Sequence, residues 1–210
     1  MKALIVADSP SALRVDELRS LANAADFVIA ADGGAAKCLD ATVVPDLVVG
    51  DLDSLDAESE RELRHRAVLF ATVPVDKDVS DLDIAVEAAR ALGASSLVVV
   101  GALGGRVDHE LAGLGTLARA ADLSPELVAS GVTALVLSPA GQATASVSGP
   151  ALFSLMPLLG AARVSCAGAR WMLTNAHLEP ISSLGLSNRV PEGSVAKITV
   201  HEGVMLLYLP

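Results

Sequence analysis

Phe27-Val28-Ile29-Ala30-Ala31-Asp32-Gly33-Gly34-Ala35 sets an unbroken apolar run directly against an acid and two glycines. Such an apolar run reads as a strand. The acid and glycines read as the tight turn that ends it. The same layout recurs around it. Residues 47–49 lead into Gly50-Asp51-Leu52-Asp53-Ser54, and residues 68–71 into Asp76-Lys77-Asp78-Val79-Ser80-Asp81. Residues 97–101 lead into Gly104-Gly105-Arg106-Val107-Asp108-His109. Parallel strands deliver the loops at their C-terminal ends to one edge, where open α/β sheets place their ligand crevice.

Carboxylates gathered on that edge repel one another unless a cation sits among them. The glycines let backbone and phosphate approach closely. A magnesium–nucleotide site is the economical expectation.

Strands are expected at 3–7, 27–30, 47–49, 68–71, 97–101 and 134–137, with helices between them. Leu82, Ala85, Val86, Ala89 and Leu92 keep helical spacing and stop at Gly93. Ser80 and Asp83 have the spacing of a capping box for that helix. Val107, Leu111, Leu114, Ala118 and Ala121 form a second apolar stripe, and Glu60/Arg64 and Glu62/Arg66 are i, i+4 pairs on a solvated face. After Pro139, glycines and prolines punctuate short runs, and 195–200 with 204–209 read as a hairpin. The fold expected is α/β: a doubly wound, mostly parallel sheet domain over 1–138, then a smaller all-β sandwich over 139–210.

Composition narrows the partners. The chain has 210 residues, is 52% hydrophobic but only 2% aromatic, and carries a formal net charge of −10. Such charge argues against nucleic acid and anionic membrane, which need a basic face. It does not exclude a nucleotide, because bound magnesium inverts the local charge logic. No apolar run reaches membrane-span length, and the apolar start is too short for a signal peptide. Cys38 and Cys166 lack metal-ligand spacing and read as ordinary thiols of a reducing, cytoplasmic compartment.

Each motif has two readings. Asp51-Leu52-Asp53 can turn two carboxylates to one side for magnesium, or be a turn before a helix capped by Ser54 or Asp56. In 76–81, a helix dipole alone would account for Asp81, but not for its companion acids and a lysine suited to phosphate. Gly104-Gly105-Arg106 opens a helix, where N–H groups and a guanidinium can hold phosphate, or it is a plain glycine turn. It is neither a Walker A motif nor a dinucleotide fingerprint. Trp171 is a sandwich core residue or the wall of a flat substrate's pocket. His65, His177 and His201 are isolated, so structural or solvated roles fit them best.

Taken in order, the segments 31–35, 45–54, 76–81 and 101–109 resemble those of the thiamine pyrophosphokinase family. Trp171-Met172-Leu173-Thr174-Asn175 and Gly185-Leu186-Ser187-Asn188 extend the likeness over nearly the whole chain. The resemblance implies transfer of the diphosphoryl group of ATP to thiamine, with Mg2+ held by Asp51, Asp53 and Asp81. It places Asp32, Lys77, Asp78, Arg106, Asp108 and His109 around the nucleotide and its phosphates, with Asp32 or Asp78 able to take the hydroxyl proton. It assigns Ser187 and Asn188 to thiamine, and implies a homodimer whose site is shared between subunits. Arg189 stands where many bacterial members carry an acid. Two rivals are a diphosphokinase of similar fold acting on a hydroxymethylpterin, and a non-catalytic nucleotide or thiamine sensor.

Overall fold

The computed structural model describes residues 1–10, 13–72 and 78–210. Lys77 and Asp76 lie outside the described residues. The chain divides into two compact units, one of Met1–Thr116 with Leu127–Ser130, the other of Leu117–Glu126 with Gly131–Pro210.

The first unit alternates strand and helix. β1 (Lys2–Val6), α1 (Val15–Asn23), β2 (Phe27–Ala31), α2 (Gly34–Asp40) and β3 (Leu47–Gly50) come first. Then follow α3 (Ala57–His65), β4 (Leu69–Thr72), α4 (Asp81–Ala91), β5 (Ser96–Val100), α5 (Val107–Arg119) and β6 (Glu126–Ala129). The strand order is β6-β5-β1-β2-β3-β4. The pairs β5–β1, β1–β2, β2–β3 and β3–β4 are all parallel.

The apolar runs are unbroken because both faces of these strands are covered. Leu4, Val6, Val28, Ala30, Val48, Val98 and Val100 form one cluster with Leu18 of α1, Cys38 of α2 and Leu63 of α3. Their neighbours Ala3, Ile5, Ile29 and Val49 are buried too, and α4 packs on β1, β2 and β3 with Ala85, Val86 and Ala89 inward. Full burial of one such Leu or Ile contributes roughly 1.5–3 kcal/mol.

The local signals at helix ends hold. Ser80 caps α4 and forms the capping box with Asp83. Asp56, not Ser54, caps α3, accepting from the N–H of Glu58 and Ser59 at 2.9 Å each. Arg64 pairs with Glu60 at 2.7 Å, and Arg66 with Glu62 at 2.5 Å.

The second unit is antiparallel. It comprises β7 (Val132–Leu137), β8 (Thr144–Ser148), β9 (Ala151–Pro157), β10 (Ala162–Ala167), β11 (Leu173–Leu178), β12 (Asn188–Val190), β13 (Val195–Glu202) and β14 (Met205–Leu209). They form two layers, β12-β9-β14-β7 and β11-β10-β13-β8. Phe153, Leu155 and Leu207 of one layer and Val164, Ile198 and Val200 of the other share a single core.

Three expectations need correction. The strand read at 134–137 is β7, which pairs antiparallel with β14, so the division by contacts falls before residue 138. The runs 195–200 and 204–209 are not a hairpin. β13 pairs with β8 and β10, while β14 pairs with β7 and β9. Gly203, at φ +81°, turns the chain from one layer to the other there, and a Cβ on it would meet Ala161 O at 2.7 Å. On α5, Val107 and Leu111 are exposed, and the buried face runs through Gly113, Thr116, Leu117 and Ala118.

Candidate active site

Neighbouring parallel strands β2 and β3 end one residue short of an aspartate each. Ala31 is in register with Val49, and the N–H of Asp32 donates to Val49 O at 2.8 Å, which sets Asp32 beside Gly50. Asp32 takes a left-handed backbone, φ +47°, and so turns the chain out of the strand. Gly34 follows because nothing larger fits: a Cβ there would lie 2.0 Å from Val6 O.

Asp51-Leu52-Asp53 is shaped by Leu52, whose φ is +66°. A branched side chain pays a conformational penalty for that backbone. Here Leu52 packs against the core cluster, while Asp51 is half-buried and Asp53 exposed. The N–H of Asp53 donates to Asp51 Oδ1 at 3.2 Å, and Ser54 Oγ donates to Asp53 Oδ1 at 3.1 Å.

Carboxylate oxygens of Asp32, Asp51 and Asp53 come within 4.8 Å of one another. Asp32 Oδ1 is buried without a hydrogen-bond partner. A buried carboxylate oxygen left so is costly, and three negative groups this close repel. Hard oxygen donors of this kind fit a magnesium-like divalent cation, which removes both costs. Asp81, the first residue of α4, reaches the same place. A Cβ on Gly50, at φ +138°, would stand 3.1 Å from Asp81 Oδ1 and 3.3 Å from Asp32 Cβ. Gly50 therefore leaves room for two acids to face each other across it. Asp83 does other work: it accepts from the buried Thr116 Oγ1 at 2.7 Å and so ties α4 to α5. Asp78 is exposed in the turn before α4.

At the end of β5 the glycine turn is self-contained. The N–H groups of Gly104 and Gly105 both donate to Glu110 Oε1, at 2.7 and 2.9 Å. The Arg106 guanidinium donates to both Asp108 oxygens, at 3.2 and 2.7 Å. That hydrogen-bonded cation draws the exposed Asp108 carboxyl down to about 2. The N–H of His109 also donates to Asp108, at 3.1 Å.

Sequence reasoning passed over Asp8, Lys37 and Glu110. Lys37 Nζ lies 3.4 Å from Asp8 Oδ1 and donates to the carbonyl of Ser9. Asp8 in turn fills the space a Cβ on Gly33 would need, its Oδ2 lying 2.5 Å from that point. An acid right after the first strand was the available signal for Asp8.

In the second unit Ser187 is exposed at φ +57°, with its N–H donating to Ser154 Oγ at 3.0 Å. Asn188 is 5% exposed, and its amide is occupied by backbone. It donates to Trp171 O at 2.7 Å and accepts from the N–H of Trp171 and Arg189 at 3.1 and 2.8 Å. Trp171 is half exposed, so it is no core residue, and the Arg170 guanidinium lies 4.8 Å above its ring centroid. Both thiols are buried, and burial pushes Cys38 up to about 12. Among the described residues no helix is long and apolar enough to cross a membrane.

Fold and site define an α/β protein with a carboxylate centre for a hard divalent cation at the C-terminal edge of its parallel sheet, joined to an all-β unit. The family description "Thiamin pyrophosphokinase, catalytic domain" matches residues 18–129, and "Thiamin pyrophosphokinase, vitamin B1 binding domain" matches residues 148–205. The chain belongs to the thiamin pyrophosphokinase family.

Among curated proteins it is similar to the thiamine pyrophosphokinase of Bacillus subtilis (strain 168), 31% identical over 107 residues. That alignment covers 51% of this chain and 50% of the relative, so the chain spans about half the length of the curated relative it matches. Solved structures extend the likeness in fold. The B. subtilis thiamine pyrophosphokinase superposes with a TM-score of 0.81 at 22% identity, covering 100% of this chain and 98% of that one. The Geobacillus thermodenitrificans enzyme gives 0.80 at 24%, covering 100% and 97%. That of Candida albicans gives 0.78 at 14%, covering 99% and 89%.

Proposed function

We propose that the chain is a thiamine diphosphokinase, transferring the diphosphoryl group of ATP to the hydroxyl of thiamine. The observation that carries this reading is the Asp32, Asp51 and Asp53 cluster with its orphaned buried oxygen, in a chain of this family. The thiamine hydroxyl oxygen attacks the β-phosphorus, the bond from that phosphorus to the bridging oxygen on the α-phosphorus breaks, and AMP leaves. The hydroxyl proton passes to a carboxylate of the sheet edge, for which Asp32 and Asp78 are the candidates.

Asp51 and Asp53, with Asp32 and Asp81 beside them, would hold magnesium, which supplies charge neutralisation at the phosphate oxygens. Arg106 adds a planar pair of donors for phosphate, with Lys77, Asp108 and His109 around the nucleotide. Most of the rate then comes from in-line positioning and electrostatic stabilisation. Ser187 offers its exposed hydroxyl to thiamine, while Asn188 acts by holding Trp171 as a wall. The working form is a homodimer in a reducing, cytoplasmic compartment, with the first unit of one subunit and the second unit of its partner building each site.

The test is AMP release from ATP plus thiamine, with and without chelator. Product that forms only with both substrates and free divalent cation supports the reading. ATP bound without turnover, or transfer to a hydroxymethylpterin in preference to thiamine, ends it.

Two variants examine the parts. Arg106→Lys keeps the charge but loses the planar fork, so turnover should fall about tenfold or more with little change in unfolding temperature. Equal turnover would place Arg106 outside the site. Asp51→Asn and Ser187→Ala proteins, each nearly inactive, should regain activity when mixed under conditions of proven subunit exchange, because a mixed dimer holds one site with neither lesion. Activity that stays at the level of the single variants would exclude the shared site.

A further inference from the structure

Two backbone N–H groups converging on a single oxygen form the arrangement that a phosphate oxygen meets at a glycine turn before a helix. At Gly104 and Gly105 that oxygen belongs to Glu110, one turn into α5. Gly104, at φ +88°, has the left-handed backbone that aims its N–H beside that of Gly105. Glu110 is half-buried, so its carboxylate is held against the turn rather than swept through solvent. The neighbouring cation is engaged in the same way, Arg106 closing on Asp108. Both groups that could receive phosphate are thus satisfied by acids of the same helix.

We propose that Glu110 is a specificity-determining residue, its carboxylate competing with a phosphate oxygen for the N–H groups of Gly104 and Gly105. The inference rests on the reading that this turn receives the phosphates of the nucleotide. A carboxylate brings one negative charge. A polyphosphate brings several, so it displaces Glu110 where singly charged anions do not. The turn discriminates by charge at the expense of affinity.

The alternative role for Glu110 is a staple that shapes the turn, and the two roles predict opposite signs. If Glu110 competes, removing it strengthens phosphate binding. If it only shapes the turn, removing it weakens binding. Calorimetric titration of inorganic pyrophosphate into wild type, Glu110→Gln and Glu110→Ala decides between them. Charge-assisted bonds are about twice as strong as neutral ones, so Glu110→Ala should bind about tenfold tighter and Glu110→Gln about threefold tighter. Acetate should bind the alanine variant and not the wild type.

Glutamine keeps an acceptor for both N–H groups, so the turn stays formed even if alanine loosens it. Unchanged or weaker pyrophosphate binding by Glu110→Gln overturns the proposal. Turnover separates it from the functional reading. Tighter pyrophosphate binding in a protein that never phosphorylates thiamine leaves this inference standing and removes the other. Turnover without tightening does the reverse.

Discussion

Asp51→Asn and Asp53→Asn, together, are expected to lower turnover about a thousandfold or more while leaving the protein folded. Their oxygens stand within 4.8 Å of each other and of Asp32. On the proposed role each amide would remove a charged ligand, and loss of several kcal/mol of charge stabilisation corresponds to roughly that factor. Stability moves differently. Without divalent cation the substitutions relieve like-charge repulsion, so the unfolding temperature should hold or rise slightly. With magnesium in excess, the wild type gains stability through binding and the double variant does not. Full activity, or an undiminished magnesium-induced shift in unfolding temperature, would remove the metal assignment.

Gly34→Ala should be among the most damaging conservative changes in the first unit. The added Cβ would sit 2.0 Å from Val6 O and 2.7 Å from Val6 C, which are backbone atoms of a central strand. No rotamer relieves such a clash, so β1 or α2 must move and the turn bearing Asp32 moves with it. Overpacking costs of about 3 kcal/mol or more follow, seen as a large fall in the midpoint of denaturant unfolding. Gly93→Ala is the control. At φ +84°, with nothing within 4 Å of the new Cβ, it pays only for its backbone, about 1 kcal/mol. Equal midpoints for the two variants would contradict the steric account.

How far the sequence could be read depended on the range of the forces involved. The strands of the parallel core were legible because burial on both faces writes an uninterrupted apolar run, as in β2. The capping box at Ser80 and Asp83 was legible because all its partners lie within four residues. That acids gather on one edge was legible, because parallel strands end there, which is geometry rather than local preference. The family resemblance, however, grouped Asp81 with Asp51 and Asp53 and set Asp32 at the nucleotide, whereas Asp32 has a carboxylate oxygen within 4.8 Å of theirs.

Antiparallel pairing was not legible in the same way. β7 finds β14 across some seventy residues, and nothing near Ala134 announces that partner. The corner at Gly203 looks locally like a hairpin turn, since the same glycine serves either purpose. The apolar residues Val107 and Leu111 keep helical spacing yet face outward, because spacing defines a stripe and not what covers it. Asn188 shows a further limit. Its side chain is committed to the backbone of Trp171, and no motif distinguishes an amide that holds a neighbour from one that meets a ligand.

The two buried cysteines give each unit its own clock. Cys38 lies in the first core and Cys166 in the second. A thiol must ionise and meet its reagent to react, and both requirements wait on local opening. Labelling by a small disulfide reagent therefore times how often each unit exposes its interior. Two rates that converge as denaturant is added would mean that the units open together. Rates that stay apart would mean that one unit can melt while the other keeps its fold.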